Sequence, residues 1–313
     1  MTRRFTKALS MQEARKMKTH KINMQRAIIY QDALLFKTPF SLRAAIEQGL
    51  FLLKIPETLN LEPGIKLCRE FYLPATSSTR YRGFRPQTDI YFDREHFQTE
   101  HLLVDKTRWA TRLPGAVVKM VLAMDALGQV ILQAALRELG VAQALWASAS
   151  GGAVTGQGTH WFAASHYRPE RHLPGCAEHQ DTGFVTLLYT RQSGLEAFID
   201  GGWQPIEPEP GYFIVNFGAC LELLSAQLPL SARAIKHRVR ECAALPGQED
   251  RFSFATFLNP PASADLYEVQ PLGELRRLMS AEAFLRRFNE RTWQDRHASF
   301  GILSEQTQGT PNE

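Results

Sequence analysis

Apolar positions in the first half of the chain recur mainly at helical spacing. Ser41 is a candidate N-cap for a helix over 42–50, and the apolar run 51–55 is typical of a short buried strand. The spacing over 114–140 predicts the longest helix of the protein. Its apolar positions are Val117, Val121, Met124, Leu127, Ile131, Ala135 and Leu139. We therefore predict a mainly helical region over 27–150.

From residue 151 the pattern changes to short apolar runs separated by Gly and Pro. Six strands are predicted, at 159–164, 184–189, 195–199, 212–217, 234–239 and 252–258. Strands this short, at this spacing, indicate a closed or double-layered antiparallel β architecture. Helical spacing returns after Gly273 through Leu275, Leu278, Phe284, Leu285 and Phe288. We expect a β core with a C-terminal helix over 151–300 and a disordered polar tail over 301–313.

Composition indicates a globular protein, since 44% of the 313 residues are hydrophobic. The sequence shows neither the run of about eighteen apolar residues of a membrane helix nor the features of a secretory signal. We therefore expect a cytoplasmic protein without membrane partners. The four cysteines form no CxxC pair, which favours reduced thiols over a disulfide framework.

Charge is concentrated at the N-terminus. Residues 1–26 carry eight Lys or Arg and one acid, Glu13, so their net charge is +7 while the remainder sums to −3. A basic arm can bind nucleic acid or direct a protein to an organelle. The rest of the chain lacks a basic patch that would extend such a footprint, so we expect a basic extension and no nucleic-acid partner.

Three residues suggest a metal site. His179 and Asp181 precede the predicted strand 184–189, and alternate residues of an extended chain project to one side. His237 lies in another predicted strand that could pair nearby. Two imidazoles and one carboxylate form the facial triad of oxygen-activating iron(II) sites, which leaves coordination positions open. Zinc would suit the same ligands but has no redox chemistry.

A second anchor stands further along the chain. Arg251 and Ser253 open the predicted strand 252–258 on one face, which suits a ligand carboxylate held by a guanidinium and a hydroxyl. A buried Arg is costly unless it meets an anion. The structural alternative is a salt bridge from Arg251 to an internal Asp or Glu.

The order of these motifs resembles the 2-oxoglutarate and iron(II)-dependent dioxygenases related to isopenicillin N synthase. The resemblance covers roughly residues 160–260, and 49–114 agree more loosely. The motifs are His179-Gln180-Asp181-Thr182-Gly183, Val185-Thr186-Leu187-Leu188, Gly194-Leu195, Gly201-Gly202-Trp203, Pro210-Gly211, Asn216-Phe217-Gly218, His237-Arg238-Val239 and Arg251-Phe252-Ser253.

The resemblance implies an α+β fold with a mainly β core, a double-stranded β-helix (jelly roll) flanked by helices. It implies iron(II) ligation by His179, Asp181 and His237. It also implies that Arg251, assisted by Ser253, holds the distal carboxylate of 2-oxoglutarate.

Tyr167 is a further candidate for contact with 2-oxoglutarate, by the same resemblance. It ends the triplet Ser165-His166-Tyr167, where the family has Asn-x-Tyr, so Ser165 departs from the pattern.

The implied reaction uses dioxygen to oxidise a small molecule, with hydroxylation as the expected outcome, and releases succinate and CO2. Asp181 disfavours halogenation, because related halogenases carry a small residue there. Arg82, Arg85 and Phe254 are candidate substrate residues by resemblance. The two arginines would suit an amino acid or other small acid, as in natural-product biosynthesis, whereas a solvated loop is the structural alternative for each.

Two alternatives remain open. One is an isopenicillin N synthase-like oxidase that uses no 2-oxoglutarate, although neither Gln306 nor Gln308 in the polar tail is a convincing metal ligand. The other is a non-catalytic small-acid binding protein on the same scaffold, because a fold alone does not establish catalysis.

Overall fold

The computed structural model describes residues 22–244 and 246–293. Strands and helices alternate along the first half of this part of the chain. The elements are β1 (Arg26–Tyr30), β2 (Ala33–Phe36), α1 (Ser41–Gln48), β3 (Leu50–Lys54), α2 (Glu62–Glu70), β4 (Tyr91–Asp93), β5 (Thr99–Asp105), α3 (Trp109–Arg112), α4 (Gly115–Glu138) and α5 (Trp146–Ala149).

The second half consists mostly of β-strands. Its elements are β6 (Trp161–Tyr167), β7 (Cys176–His179), β8 (Val185–Thr190), β9 (Leu195–Ile199), β10 (Gly202–Pro205), β11 (Tyr212–Phe217), α6 (Ala219–Ser225), β12 (His237–Val239), β13 (Phe252–Leu258), β14 (Asp265–Val269), β15 (Leu275–Ser280) and α7 (Ala281–Trp293).

The strands form a large and a small sheet with a cavity between them. The large sheet has nine strands in the order β2-β1-β3-β11-β8-β13-β6-β5-β4, and the small sheet has the order β10-β9-β12-β7. Both sheets contribute residues to the cavity and to a small apolar cluster containing Leu52, Ile214, Leu195 and Val239. Together they make the predicted jelly-roll core, and β14 and β15 form a separate hairpin.

Helix α4 packs against the outer face of the large sheet. A Cβ at Gly128 would lie 2.4 Å from Cδ1 of Leu258, so the helix approaches β13 closely because this position has no side chain. By length and composition α4 could also cross a membrane, a test that buried core helices pass equally. Here Val121, Met124 and Ile131 on α4 are fully buried in the main core.

Several predicted elements are confirmed. The predicted strands 195–199, 212–217 and 252–258 coincide with β9, β11 and β13, and the long helix differs from α4 by one or two residues at each end. Of the predicted strand 234–239, only His237–Val239 pairs, as β12.

Two local predictions are wrong. Ser41 does not cap α1, because the N-cap residue is Phe40 and the Ser41 hydroxyl lies 2.6 Å from that of Thr38. Residues Leu275 and Leu278 lie in β15, and the C-terminal helix begins only at Ala281.

The region 27–150, predicted as mainly helical, also supplies all or most of five strands of the large sheet, of which only β3 was predicted. The tail 301–313 and most of the basic extension 1–26 lie outside the described residues.

Candidate functional site

The three predicted metal ligands converge. His179 ends β7 and His237 begins β12, and these two residues pair directly opposite each other across antiparallel strands. Asp181 follows two residues after His179. Its Oδ1 lies 3.9 Å from Nε2 of His179 and 3.7 Å from Nε2 of His237. The three side chains therefore face one point, with candidate ligand atoms within 4.8 Å of one another.

Backbone carbonyls fix the tautomer of both imidazoles. Nδ1 of His179 donates to the carbonyl of Ala177 at 2.9 Å, and Nδ1 of His237 donates to that of Ile235 at 3.0 Å. A carbonyl oxygen can only accept, so in each neutral ring the proton sits on Nδ1 and the lone pair on Nε2. Such outer hydrogen bonds orient histidines that bind metals.

Burial, reinforced by the nearby His237, lowers the pKa of His179 to about 4. The imidazole of His179 is therefore neutral at physiological pH, which is the form that binds a metal.

Asn216 orients the carboxylate. Its Nδ2 donates to Oδ2 of Asp181 at 3.3 Å, which leaves Oδ1 toward the two histidines. Asn216 belongs to a motif recognised in the sequence, but no role was predicted for it. Two imidazoles and one oriented carboxylate fit the donor set of a mononuclear iron(II) site.

Arg251 lies buried at another part of the same cavity. Its Nε donates to the carbonyl of Ser193 at 3.1 Å, and its guanidinium carbon lies 4.4 Å from the centre of the Tyr167 ring. Among the described residues, Arg251 forms no salt bridge, and its buried Nη1 has no hydrogen-bond partner. The salt-bridge alternative for Arg251 is therefore not observed. An anionic ligand would satisfy it.

Tyr167 and Ser253 lie beside Arg251 and line the cavity. Burial raises the pKa of Tyr167, so its hydroxyl stays protonated and can donate a hydrogen bond. Ser165, at the position of the family's Asn, pairs with Ser253 in the sheet and also borders the cavity. Three residues with hydroxyl groups thus line the cavity together with Arg251.

The two arginines predicted to contact substrate do not line this cavity. Arg82 donates through Nε to Glu70 at 2.9 Å, and Arg85 forms a two-pronged salt bridge with the buried Glu100 at 2.9 and 2.8 Å. Their loop position was predicted correctly, but nearby carboxylates hold both guanidinium groups elsewhere. The sequence could not show this, because Glu100 lies on β5.

Phe254 borders the cavity, but its ring lies 4.8 Å from that of Tyr189 and 6.3 Å from that of Phe162 in the core. His160, His166 and His172 were expected to be structural or to line the pocket. His160 contacts Asp125, His166 stacks on Tyr72, and His172 is largely exposed, so none of these three is at the metal site.

Comparison with known proteins identifies the class of this core. Residues 159–260 match the family model of the 2OG-Fe(II) oxygenase superfamily. The resemblance noted in the sequence is thus confirmed for this part of the chain.

Two curated relatives illustrate the match. The chain is 33% identical over 99 residues to the 2-oxoglutarate-dependent dioxygenase iboH of Amanita muscaria, covering 30% of this chain and 47% of that protein. It is 32% identical over 145 residues to the oxoglutarate-dependent flavonoid 7-O-demethylase 1 of Ocimum basilicum, covering 44% and 37%. The chain thus spans less than half the length of these relatives.

Solved structures agree on the fold. A full-length Neurospora crassa protein in complex with alpha-KG and thymine superposes with a TM-score of 0.59 at 16% identity, covering 80% of this chain and 91% of the other. The rice dioxygenase for auxin oxidation superposes with a TM-score of 0.59 at 24% identity, covering 80% and 88%. At these identities the likeness establishes the jelly-roll fold.

Proposed function

We propose that this protein is an iron(II)- and 2-oxoglutarate-dependent oxygenase that oxidises a small molecule. The observation that carries the proposal is the shared cavity. One part of it presents two Nε2 atoms and a carboxylate oxygen to a common point, and another presents a buried guanidinium without a carboxylate partner among the described residues. A metal and a dicarboxylate would use both parts at once.

His179, Asp181 and His237 would hold the metal, which, when bound, supplies the activation of dioxygen. The overall reaction converts R–H, 2-oxoglutarate and O2 into R–OH, succinate and CO2. Arg251 would bind the distal carboxylate of 2-oxoglutarate through Nη1, and Ser253 and Tyr167 would add hydrogen bonds. Holding the keto acid at both ends fixes its orientation toward the metal.

Succinate release coupled to oxygen uptake tests the proposal. Protein with iron(II) and 2-oxoglutarate should form succinate, and His237→Ala and Asp181→Ala should reduce the rate at least about 100-fold by removing a ligand. His172→Ala is the matched control, because this histidine is exposed and does not line the cavity. Its rate should equal that of the unmodified protein.

The same measurement separates the alternatives. Oxygen uptake without succinate would indicate an oxidase that needs no 2-oxoglutarate. A protein that binds the keto acid but consumes no oxygen, with any candidate substrate, would be a binding protein. Succinate formation that survives His237→Ala would contradict the proposed metal site.

The substrate is a small molecule under this proposal. The finer interpretation, an amino acid or other small acid, depended on Arg82 and Arg85. Both arginines lie outside the cavity in salt bridges, so the substrate class has to be inferred from the residues that do line it.

A further inference from the structure

The cavity changes in character along the strands of the large sheet. Arg251 directly precedes β13, and Ser253 lies near the start of that strand. Phe257 lies six residues beyond Arg251, about 20 Å away at the usual rise per strand residue. Phe257 pairs directly with Trp161 on β6. The cavity is thus polar at the Arg251 end and aromatic at the other, with Ala255 and Ala163 between them.

Helix α7 borders the same cavity and begins beside the segment that follows β13, because the backbone N–H of Glu282 donates to the carbonyl of Ala262, a residue that also lines the cavity. Leu285, Phe288 and Asn289 line the cavity at the i, i+3 and i+4 positions that share one helix face. Leu285 and Phe288 are only half-buried, whereas Arg286 and Arg287 are exposed. Two apolar side chains therefore retain exposed surface on the face that borders the cavity, and a ligand in the cavity would cover that surface.

The aromatic end also adjoins the metal ligands. Thr186 on β8 pairs with Phe257 on one side and with Asn216 on the other. Asn216 in turn donates to Asp181. A ligand held at Trp161 and Phe257 therefore lies near the triad, on the side away from Arg251. 2-Oxoglutarate and substrate would occupy different parts of one cavity.

We infer that the substrate is an uncharged ring compound with few polar substituents, bound between Trp161 and Phe257 on the sheet and Leu285 and Phe288 on α7. This inference rests on the proposed function, because it assigns the substrate of that reaction. Aromatic faces stack on planar rings and exclude water from them. Thr159 and Asn259, at the same end, provide polar groups for one or two substituents.

Binding of 2-naphthol, compared with 2-naphthoate and leucine, tests the inference. The protein is loaded with Zn(II) and 2-oxoglutarate, so that no turnover occurs. We expect 2-naphthol to bind and raise the melting temperature, and the two charged probes to bind at least about tenfold more weakly, because their charge loses solvation against apolar walls. Tighter binding of 2-naphthoate or leucine would overturn the inference.

Variants locate the site. Phe288→Ala and Trp161→Ala should each weaken 2-naphthol binding about tenfold or more through loss of aromatic contact, while changing 2-oxoglutarate affinity less than about twofold. Phe40→Ala, at an exposed phenylalanine that does not line the cavity, is the matched control and should change neither affinity. Because α7 lies at the protein surface, Phe288→Ala remains informative if Trp161→Ala fails to fold.

The two proposals fail separately. If Phe288→Ala leaves the 2-naphthol affinity unchanged, the ring site is wrong even when succinate is formed. If 2-naphthol binds as expected but the metal-loaded protein does not bind 2-oxoglutarate, the ring site stands and the proposed oxygenase function is wrong.

Discussion

Two buried arginines near the same end of the large sheet have opposite surroundings. Arg168 follows β6 and Arg251 precedes β13, and their side chains are similarly inaccessible, with 6% and 5% of each residue exposed. Arg168 donates to both carboxylate oxygens of Asp93, at 2.7 and 3.2 Å, and to the carbonyls of Gln98 and Thr99. Arg251 donates to one backbone carbonyl, that of Ser193.

The difference separates a structural charge from a binding charge. Desolvating a guanidinium is costly, and Arg168 recovers that cost through partners within the fold. Arg251 has no such carboxylate among the described residues and its buried Nη1 has no hydrogen-bond partner, so an anionic molecule in the cavity would compensate its charge. Burial alone would not distinguish the two.

The largest effect is expected from Arg251→Gln. Removing the charge that faces 2-oxoglutarate should weaken its binding by about 100-fold or more, as for other buried charged pairs, while the melting temperature stays within about 2 °C. Calorimetry with the Zn(II)-loaded protein measures the affinity. Arg191→Gln, at a half-exposed arginine outside the cavity, is the control, and equal affinities in both variants would refute the role of Arg251.

Arg168→Gln should show the reverse pattern. Loss of the salt bridge to both oxygens of Asp93 should lower the free energy of unfolding by about 1–3 kcal/mol. The loss is smaller than for a fully buried pair because Asp93 is partly exposed. The affinity for 2-oxoglutarate should change less than about threefold. Urea unfolding gives the first quantity and calorimetry the second. A stable variant that has lost 2-oxoglutarate binding would show that the two arginines are not distinct in role.

A smaller effect is expected on the pH dependence of the protein's stability, through the charged cluster around Glu100. Burial by itself would raise the pKa of Glu100, but hydrogen bonds from His166, Arg85 and Tyr91 outweigh it and hold the pKa well below its ordinary value of 4.5. A carboxyl group whose pKa is lower in the folded than in the unfolded protein stabilises the fold at pH values above its unfolded pKa. That stability is lost as the pH falls below about 4.5.

Glu100→Gln should therefore lower the melting temperature at pH 7 and flatten its decline between pH 5 and 3, by at least about 3 °C. Thermal unfolding at several pH values measures this. Glu178→Gln, at an exposed glutamate, should keep the slope of the unmodified protein. If both variants decline in parallel, the cluster is not the source of the acid sensitivity.

The chemistry of the site could be predicted from the sequence because it depends on residues close together in the chain. His179 and Asp181 are two positions apart, and so are Arg251, which directly precedes β13, and Ser253 within it. Spacing alone therefore placed each pair on one side. His237 was placed through the resemblance and a predicted strand, and the structure brings it opposite His179.

Properties that depend on distant partners could not be predicted. The salt bridge of Arg85 to Glu100 joins a loop to β5, and the ring site joins β6 and β13 to α7. Strands such as β7, with only Cys176–His179, are too short to show periodicity. The cytoplasmic location stays a prediction.

The position of strand β7 predicts where the protein becomes less stable without its metal. Among the described residues it is the outermost strand of the small sheet and pairs there with β12, with an irregular register between His237 and Val239. An ion bound by both His179 and His237 would link β7 to β12. Removal of the ion by a chelator should then loosen the pairing of β7 with β12 first. Amide hydrogen exchange would accelerate in 176–181 while the nine-stranded sheet stays protected.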